Sequence, residues 1–379
     1  MISFRITHRS KKSRARVGIL KTPHGSIETP SLIPVATQAV IKTLTSNDVE
    51  RTKTQGIIAN TFHLHLKPGE QVVKAGGGLH TYMALKKPIF TDSAGFQVFS
   101  LGFGRDLSVG KIAKTGEASH VVTLNAQPQS VKITETGVHF RSPVDGRRLF
   151  IGPRESIRIQ EALGADIIFT FDECTPPSAD KAYTMKSLGR THRWAEQCIR
   201  FKKSKQALFG MVQGGRFKEL RIASAKYVGS LPFAGFGIGG EFGDDKSIMT
   251  RMIRWVINEL PDEKPRHLLG IGYLEDMPKI IREGVDTFDC IVPTHFARHG
   301  VAFIPQGRLD MRKTVLLKDK KPLDSRCACE TCTTYSRSYI AHLFRAKEIT
   351  AMRLLTFHNL YYFNTVVERI REGIKKGKV

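Results

Sequence analysis

The stretch RESIRIQEALGADIIFTF, residues 154–171, passes from a helical spacing of apolar residues directly into a short apolar run. Apolar residues three or four positions apart predict one buried face of a helix, and a run rich in β-branched and aromatic residues predicts a buried strand. This stretch therefore predicts one helix–strand unit of a chain in which the two kinds of element alternate.

Strand-like runs of the same kind recur along the first 300 residues. They occupy residues 31–37, 56–60, 88–91, 165–171, 207–213, 233–238, 267–272 and 286–292. Helical patterns separate most of them, and this alternation predicts a parallel sheet in an α/β fold. Eight such units predict a (β/α)8 TIM barrel. A doubly wound sheet is the alternative, because strands are easily miscounted from one sequence.

Two segments depart from the alternation. Within residues 118–150, the runs SHVVTLN, VKITET and GVHFRS alternate polar and apolar residues, which predicts an antiparallel insertion between barrel strands three and four. After about residue 300 the chain changes to a charged linker, a cysteine cluster and helical patterns. We therefore expect a barrel domain over residues 1–300, with N-terminal strands and the insertion, and a zinc-binding subdomain with C-terminal helices over residues 301–379.

Three of the six cysteines crowd into CACETC, residues 327–332. Cys327, Cys329 and Cys332 precede His358 with the spacing C-x-C-x2-C-x25-H. Three thiolates and one imidazole complete the tetrahedral shell of a structural Zn2+ ion. His342 is the alternative fourth ligand on spacing alone, and an exposed thiol cluster without a metal is the alternative to a zinc site.

The charge balance predicts a polyanionic partner. The chain carries 59 Lys and Arg against 35 Asp and Glu, a formal net charge of +24. Such basicity is typical of nucleic-acid-binding proteins, although some organisms have basic proteomes throughout. No apolar run approaches the ~20 residues that span a bilayer, and the basic N-terminus lacks the apolar segment of a signal peptide. We expect a cytoplasmic protein without a membrane anchor, with a mitochondrial transit peptide as the alternative.

Polar residues follow the predicted strands at the points where the strands end. They are Asn60, Asp92, Asp172, Glu173, Gln213, Glu241 and Asp289. Active sites of TIM barrels lie at the carboxyl ends of the strands, so these side chains are expected at one mouth. Two carboxylates there, Asp92 and Asp289, could divide nucleophilic and acid/base work. An amide beside a carboxylate, as in Gln213 and Asp172, could read the edge of a purine-like base.

Two further features near this mouth are less specific. Phe96 could stack on a base, although an isolated Phe is more often part of a core. GFGIGGE, residues 235–241, contains the pattern G-x-G-x-x-G, but no helix is expected to open inside it, as a dinucleotide site requires. We interpret the motif as a glycine loop whose backbone amides approach a planar ligand.

Together these motifs resemble the tRNA-guanine transglycosylase (queuine tRNA-ribosyltransferase) family over nearly the whole chain. NTFHLHLKPG, TDSAGFQVFS, FRSPVDG, LGADIIFTFDECTPP, MVQGG, TFDCIVPT and CACETC with TFHNL occur in family order. The resemblance implies a zinc-bearing TIM barrel that exchanges guanine at the anticodon wobble position for a 7-deazaguanine base, queuine or its aminomethyl precursor preQ1. The implied substrates are tRNAs with a U-G-U anticodon loop, and the implied assembly is a homodimer.

The resemblance also implies roles for single residues. Asp289 matches the nucleophile that attacks ribose C1′ and forms a covalent intermediate, and Asp92 matches the general acid/base. The implied base pocket contains Asp172, Gln213, Gly237, Phe96, Gly239, Glu241 and Asn60, and the implied RNA contacts are Arg298 and His295.

The chain departs from the family pattern at several positions. Ala94 stands where the family has Gly, which adds a methyl group beside the base pocket, and His295 stands where an anticodon-contacting Arg is expected. The glycine loop is unusual at Phe236 and Gly237. Gly239 resembles the residue found in family members that use queuine, whereas Cys174 resembles the bacterial pattern. The two residues therefore give conflicting indications of the incoming base.

Two other functions are compatible with the same fold. The chain could be a non-catalytic partner subunit, although such a subunit is expected to lack one or both catalytic carboxylates. Alternatively it could carry out the same exchange at another tRNA position or on DNA. The absence of an extra RNA-binding domain is expected to disfavour exchange at the other tRNA position. Exchange on DNA is not excluded by the sequence.

Overall fold

The computed structural model describes residues 2–106, 131–176, 178–240 and 246–379. The strands, in chain order, are β1 Ser3–Arg9, β2 Arg16–Thr22, β3 Gly25–Thr29, β4 Ser31–Ala36, β5 Ile57–Ala59, β6 Ile89–Thr91, β7 Val131–Ile133, β8 Val138–Arg141, β9 Arg148–Ile151, β10 Ile167–Phe169, β11 Ala207–Val212, β12 Gly235–Ile238, β13 Arg266–Leu268, β14 Thr287–Cys290, β15 Val301–Ile304 and β16 Gly307–Asp310.

The helices are distributed between and after these strands. They are α1 Ser46–Arg51, α2 Thr61–Leu66, α3 Glu70–Ala75, α4 Gly78–Tyr82, α5 Gly95–Asp106, α6 Pro153–Leu163, α7 Lys181–Phe201, α8 Lys218–Ser230, α9 Lys246–Ile257, α10 Met277–Arg282, α11 Val292–Arg298, α12 Glu330–Thr334, α13 Arg337–Arg345 and α14 Ile349–Lys375, with a 3-10 turn at Thr314–Lys318. No helix in the described part of the chain combines the length and apolarity that a membrane span needs.

Eight parallel strands close into a barrel in the order β4, β5, β6, β10, β11, β12, β13, β14 and back to β4. Every one of these strands lies inside one of the eight predicted runs or begins within a residue of it. The TIM barrel prediction is therefore confirmed, and the closure of β14 onto β4 excludes the doubly wound sheet, because an open sheet has two free edges.

The 154–171 stretch forms α6 and β10, as its pattern predicts. Pro153 occupies the first turn, where its missing N–H costs no hydrogen bond, and the Glu155 carboxylate accepts from the Gly152 amide at 3.1 Å. Gly164 ends the helix with φ of +75°, a backbone conformation that favours glycine. The chain can therefore turn at once into the strand.

Large side chains fill the interior of the barrel, where Phe90, Phe169, Phe209 and Met211 form one buried cluster. Two glycines of GFGIGGE lie on strand β12 against this cluster. A Cβ at Gly235 would lie 2.5 Å from the Phe209 ring, and one at Gly237 would lie 2.5 Å from the Met211 sulfur. These glycines allow close packing inside a strand, and they belong neither to a loop nor to a dinucleotide site.

Strands β7, β8 and β9 form a small antiparallel sheet between β6 and β10 along the chain. VKITET and GVHFRS supply its first two strands, as expected for an insertion. The SHVVTLN run, predicted as a further strand, lies outside the described residues. That part of the insertion stays a prediction.

The C-terminal segment packs directly on the barrel through α14. The Asn359 amide group donates to the carbonyls of Pro293 and Val301 at 3.0 and 2.9 Å, and its oxygen accepts from the Phe303 amide at 2.9 Å. Residues of α14 belong to the same buried hydrophobic cluster as the barrel helices. We therefore propose that residues 1–300 and 301–379 are two consecutive parts of the chain that share one hydrophobic core.

A buried ion pair joins the N-terminal sheet to the last barrel strand. Arg16 on β2 donates from Nε and Nη2 to the two carboxylate oxygens of Asp286, which precedes β14, at 2.8 and 2.6 Å. The two side chains are 1% and 0% exposed. Breaking a buried pair costs far more than breaking an exposed one, because the remaining charge loses its partner without gaining water.

We expect Arg16→Met to lower the free energy of unfolding by about 3–5 kcal/mol, because the buried Asp286 carboxylate would lose both hydrogen bonds from the guanidinium. Arg9→Met is the matched control, since Arg9 pairs with Asp262 on the surface, and it should cost less than about 1 kcal/mol. Urea denaturation of both variants measures the difference. Equal losses would contradict the importance given to the buried pair.

Candidate active site at the carboxyl ends of the barrel strands

A cavity of about 510 Å3 opens at the carboxyl ends of the strands. Seven of the side chains or glycines predicted from sequence line it, namely Asn60, Asp92, Phe96, Asp172, Gln213, Gly239 and Asp289. Gly237 does not line it, because it lies inside β12, and Glu241 lies outside the described residues. Glu173 also points elsewhere: it is buried against Tyr183 and Arg190.

Asp92 lies in a ring of hydrogen-bond donors. One carboxylate oxygen accepts from the backbone amides of Thr61 and Ala94 at 2.9 and 3.2 Å, and the other accepts from the side-chain amides of Asn60 and Gln97. Burial raises the pKa of Asp92, and the nearby negative charge of Asp289 raises it further. This carboxyl group therefore holds a proton more readily than an ordinary aspartate, as a general acid must.

Ala94 affects the site through its backbone. Its φ of +72° places it in the left-handed region, which a residue with a side chain adopts at a cost of about 1 kcal/mol. This conformation aims its amide at Asp92. The methyl group is fully buried and is not part of the cavity lining, so the expected methyl beside the base pocket is corrected to a backbone effect.

Asp289 is the next-to-last residue of the last barrel strand, β14. Its Oδ1 accepts from the Gly270 amide at 2.9 Å and lies 3.1 Å from Nε2 of His267 on the neighbouring strand β13. Pairing of His267 with Thr287 sets this contact, because Asp289 follows Thr287 by two residues and so points to the same side of the sheet. Only 8% of Asp289 is exposed, so the carboxylate faces the cavity and little else.

Asp172 and Gln213 form a hydrogen-bonded pair on the cavity wall. Gln213 donates from Nε2 to one Asp172 oxygen at 2.6 Å, and the Ser93 hydroxyl donates to the other at 2.8 Å. The buried Gln213 oxygen has no hydrogen-bond partner within the described chain, so it can accept from a ligand. Burial raises the pKa of Asp172 to about 6, with the charge of Asp92 contributing.

Gly239 and Gly240 leave space for the Gln213 side chain. A Cβ at Gly239 would lie 2.6 Å from Gln213 Nε2, and one at Gly240 would lie 2.7 Å from Gln213 Oε1. Gly239 and Gly240 therefore line the cavity beside Gln213, whereas Gly237 does not. The space that Gln213 occupies is a reason for glycine at position 239 that does not depend on the size of the incoming base.

Two histidines of the site were not among the residues predicted from sequence. His63 lines the cavity, and burial lowers its pKa despite the nearby charge of Asp92. His267 contacts Asp289. The one available signal was a histidine in the otherwise apolar run HLLGIG, but its partner depends on the register between two strands, which sequence does not supply.

The predicted RNA contacts lie on α11, directly after β14. His295 is exposed and Arg298 is half-buried. Burial, His299 and Arg298 together lower the pKa of His295, so this residue offers less positive charge than the expected arginine would. Arg298 donates to the Thr294 carbonyl at 2.9 Å and is not part of the cavity lining.

Four side chains near the C-terminus fit a tetrahedral metal shell. Nδ1 of His358 lies 3.8, 3.5 and 3.2 Å from the sulfurs of Cys327, Cys329 and Cys332. Typical Zn–S and Zn–N bonds place such ligand atoms about 3.6 Å apart. Nε2 of His358 lies 2.8 Å from the Phe303 carbonyl, an outer contact that orients the imidazole. These residues could therefore hold Zn2+ as a structural ion.

The zinc interpretation predicts which histidine is the ligand. His358→Ala should lower the metal content from about one zinc ion per chain to a small fraction, because three ligands bind far less tightly than a complete shell. His342→Ala is the matched control, since His342 is exposed and outside the cluster. Elemental analysis of the purified variants measures this, and a full zinc complement in His358→Ala would refute the assignment.

The raised pKa of Asp172 predicts a pH dependence of stability. A carboxyl whose pKa is about 6 when folded and about 3.9 when unfolded binds more protons in the folded state, so the free energy of unfolding falls as pH rises between these values. Relative to the unchanged protein, Asp172→Asn should therefore gain about 1 kcal/mol in free energy of unfolding between pH 5 and pH 7.

Urea denaturation at the two pH values measures this gain. Asp310→Asn is the control, because the Arg312 side chain lowers the pKa of Asp310 and the group stays ionised throughout this range. Its effect on stability should be the same at both pH values. A pH-independent effect of Asp172→Asn would show that Asp172 titrates normally.

Comparison with known proteins agrees with the geometry of the site. A family model described as queuine tRNA-ribosyltransferase matches residues 10–379. Queuine tRNA-ribosyltransferases of Halothermothrix orenii and Thermoanaerobacter pseudethanolicus are 44% and 43% identical to this chain, over 99% and 100% of it and 94% and 95% of their own lengths. That of Natranaerobius thermophilus is 42% identical over 98% of this chain and 95% of its own. The chain belongs to the queuine tRNA-ribosyltransferase family.

Proposed function

We propose that this protein is a tRNA-guanine transglycosylase, a pentosyltransferase of queuosine modification. In this proposal it exchanges guanine at the anticodon wobble position of tRNA for a 7-deazaguanine base. Family membership supports the activity. The observation that carries the mechanism is that two buried carboxylates, Asp92 and Asp289, line one cavity. A non-catalytic partner subunit would have no need of both.

In the first half-reaction, the Asp289 carboxylate attacks ribose C1′ as the bond from C1′ to guanine N9 breaks. The bonding electrons go to the guanine ring, which takes a proton from the Asp92 carboxyl. A covalent ester then links Asp289 to the ribose. The raised pKa of Asp92 suits it to this proton transfer, because the group must be protonated before the base leaves.

The second half-reaction reverses these steps with a different base. The incoming 7-deazaguanine gives the proton on its N9 to Asp92 and attacks C1′, and the Asp289 carboxylate leaves. Both bases present the same pyrimidine edge to the wall formed by Asp172 and Gln213, so one set of contacts serves for release and entry. Phe96 packs on the face of the base, with Asn60, Gly239 and Gly240 completing the pocket. Glu241, which lies outside the described residues, is proposed as a further base-binding residue.

The proposed partner is a tRNA with a U-G-U anticodon loop, as in the aspartate, asparagine, histidine and tyrosine tRNAs. The net charge of +24 supports a polyanionic substrate. Arg298 on α11 is proposed to contact the anticodon phosphates, and His295 on the same helix is proposed to contact RNA while adding little positive charge. We further propose a homodimer acting in the cytoplasm, and queuine or preQ1 as the incoming base.

The proposal predicts that Asp289→Asn abolishes exchange. Purified protein should incorporate labelled guanine into a tRNA that carries the U-G-U loop, and unlabelled queuine or preQ1 should compete with the label. An amide at position 289 is a far weaker nucleophile than a carboxylate, so incorporation should fall by at least about 1000-fold. The competition also shows which base the pocket prefers.

Asp310→Asn serves as the matched control, because Asp310 lies on β16, away from the cavity lining, and it should keep full activity. Duplex DNA in place of tRNA tests the other polymer. Full incorporation by Asp289→Asn would refute the assigned nucleophile, and incorporation into DNA alone would refute the substrate.

A further inference from the structure

His267 is a fully buried histidine in the wall of the barrel. Its side chain is 0% exposed and lies between two polar groups of the next strand. Nε2 is 3.1 Å from Asp289 Oδ1, and Nδ1 is 2.9 Å from the Thr287 hydroxyl. Each ring nitrogen therefore has one hydrogen-bond partner, and one of these partners is the proposed nucleophile.

Aromatic rings hold the imidazole in this orientation. The ring centroids of Phe90 and Phe169 each lie 5.4 Å from that of His267, and the Phe90 ring is close to parallel with it. Both phenylalanines are 0% exposed. A ring packed on two sides in a buried core cannot swing to a different partner without displacing its neighbours.

We propose that His267 is a positioning residue for the transglycosylase reaction, holding Asp289 Oδ1 so that Oδ2 attacks the ribose. This inference rests on the proposed function. A neutral imidazole satisfies both of its contacts when Nε2–H donates to Asp289 and Nδ1 accepts from the Thr287 hydroxyl. The neutral ring leaves the full negative charge on Asp289, which a nucleophile needs.

The same contact serves both half-reactions. While Oδ2 is bonded to the ribose, Oδ1 is the carbonyl oxygen of the ester, and it can still accept from Nε2–H and from the Gly270 amide. When the second base attacks C1′, negative charge returns to the departing carboxylate. Two fixed donors at Oδ1 stabilise that charge as it develops, without reorganisation of water. The contact between His267 and Asp289 should therefore affect kcat more than KM for tRNA.

The test compares two substitutions of the same ring. His267→Phe keeps the shape but removes the donor, and kcat for guanine exchange should fall by about 10- to 100-fold, the range expected for one hydrogen bond to a charged group. KM for tRNA should stay within about threefold. His267→Gln places an amide N–H near the position of Nε2, and it should recover kcat by about tenfold over His267→Phe.

Two more variants keep the test decisive. Thr287→Val removes the hydroxyl that fixes the ring tautomer, and a smaller loss of kcat is expected. His139→Phe is the control, because this ring packs on Phe150 in the inserted antiparallel sheet and does not line the cavity, and it should leave kcat unchanged. Should His267→Phe fail to fold, His267→Gln and Thr287→Val carry the comparison.

The outcomes separate this inference from the function on which it rests. If the unchanged protein exchanges no guanine, the proposed function fails. If the unchanged protein is active and His267→Phe retains its kcat, the positioning role is overturned while the function stands. Equal losses of kcat in His267→Phe and His267→Gln, with both variants folded by thermal denaturation, would also overturn the role, because the donor would then be irrelevant.

Discussion

Closure of β14 onto β4 is the constraint on which the rest of this molecule depends. A closed ring of parallel strands brings all their carboxyl ends to one rim, so residues far apart in the chain meet there. Asp92 follows the third barrel strand and Asp289 lies near the end of the eighth, yet both line one cavity. Without closure β4 and β14 would be the two edges of an open sheet, and the two carboxylates would have no common substrate.

The protonation of the carboxyl groups in the cavity depends on their burial and on the charge of their hydrogen-bond donors. Asp92, Asp172 and Asp289 share it, and their donors in the described chain are neutral amides, hydroxyls and an imidazole, with no Lys or Arg in the lining. A nearby cation would lower the pKa of each carboxyl and fix it in the ionised state. Neutral donors instead orient the oxygens while leaving the proton on Asp92 exchangeable, which proton transfer to a base requires.

Sequence patterns predicted the fold and most of the site, for a physical reason. Barrel strands are apolar on both sides, so a polar residue such as Asp172 at the end of IIFTF stands out. What sequence did not supply depends on register and backbone angles. The contact of His267 with Asp289 can be seen only once the register of β13 and β14 is known. The conformational cost at Ala94 can be seen only from its backbone angle φ. The GFGIGGE motif was interpreted as a loop although the predicted run 233–238 contains Gly237, because the close packing of these glycines against Phe209 and Met211 shows only in the folded barrel.

The pair formed by Arg16 and Asp286 also bears on how the chain is made. A ribosome releases β2 early and β14 only after most of the barrel has emerged, so the guanidinium and its carboxylate meet late in synthesis. Until then the unfinished barrel exposes the edge of β4 that β14 will cover. Contacts of such long sequence separation are slow to form. The nascent protein is therefore most dependent on protection from aggregation just before its eighth barrel strand appears.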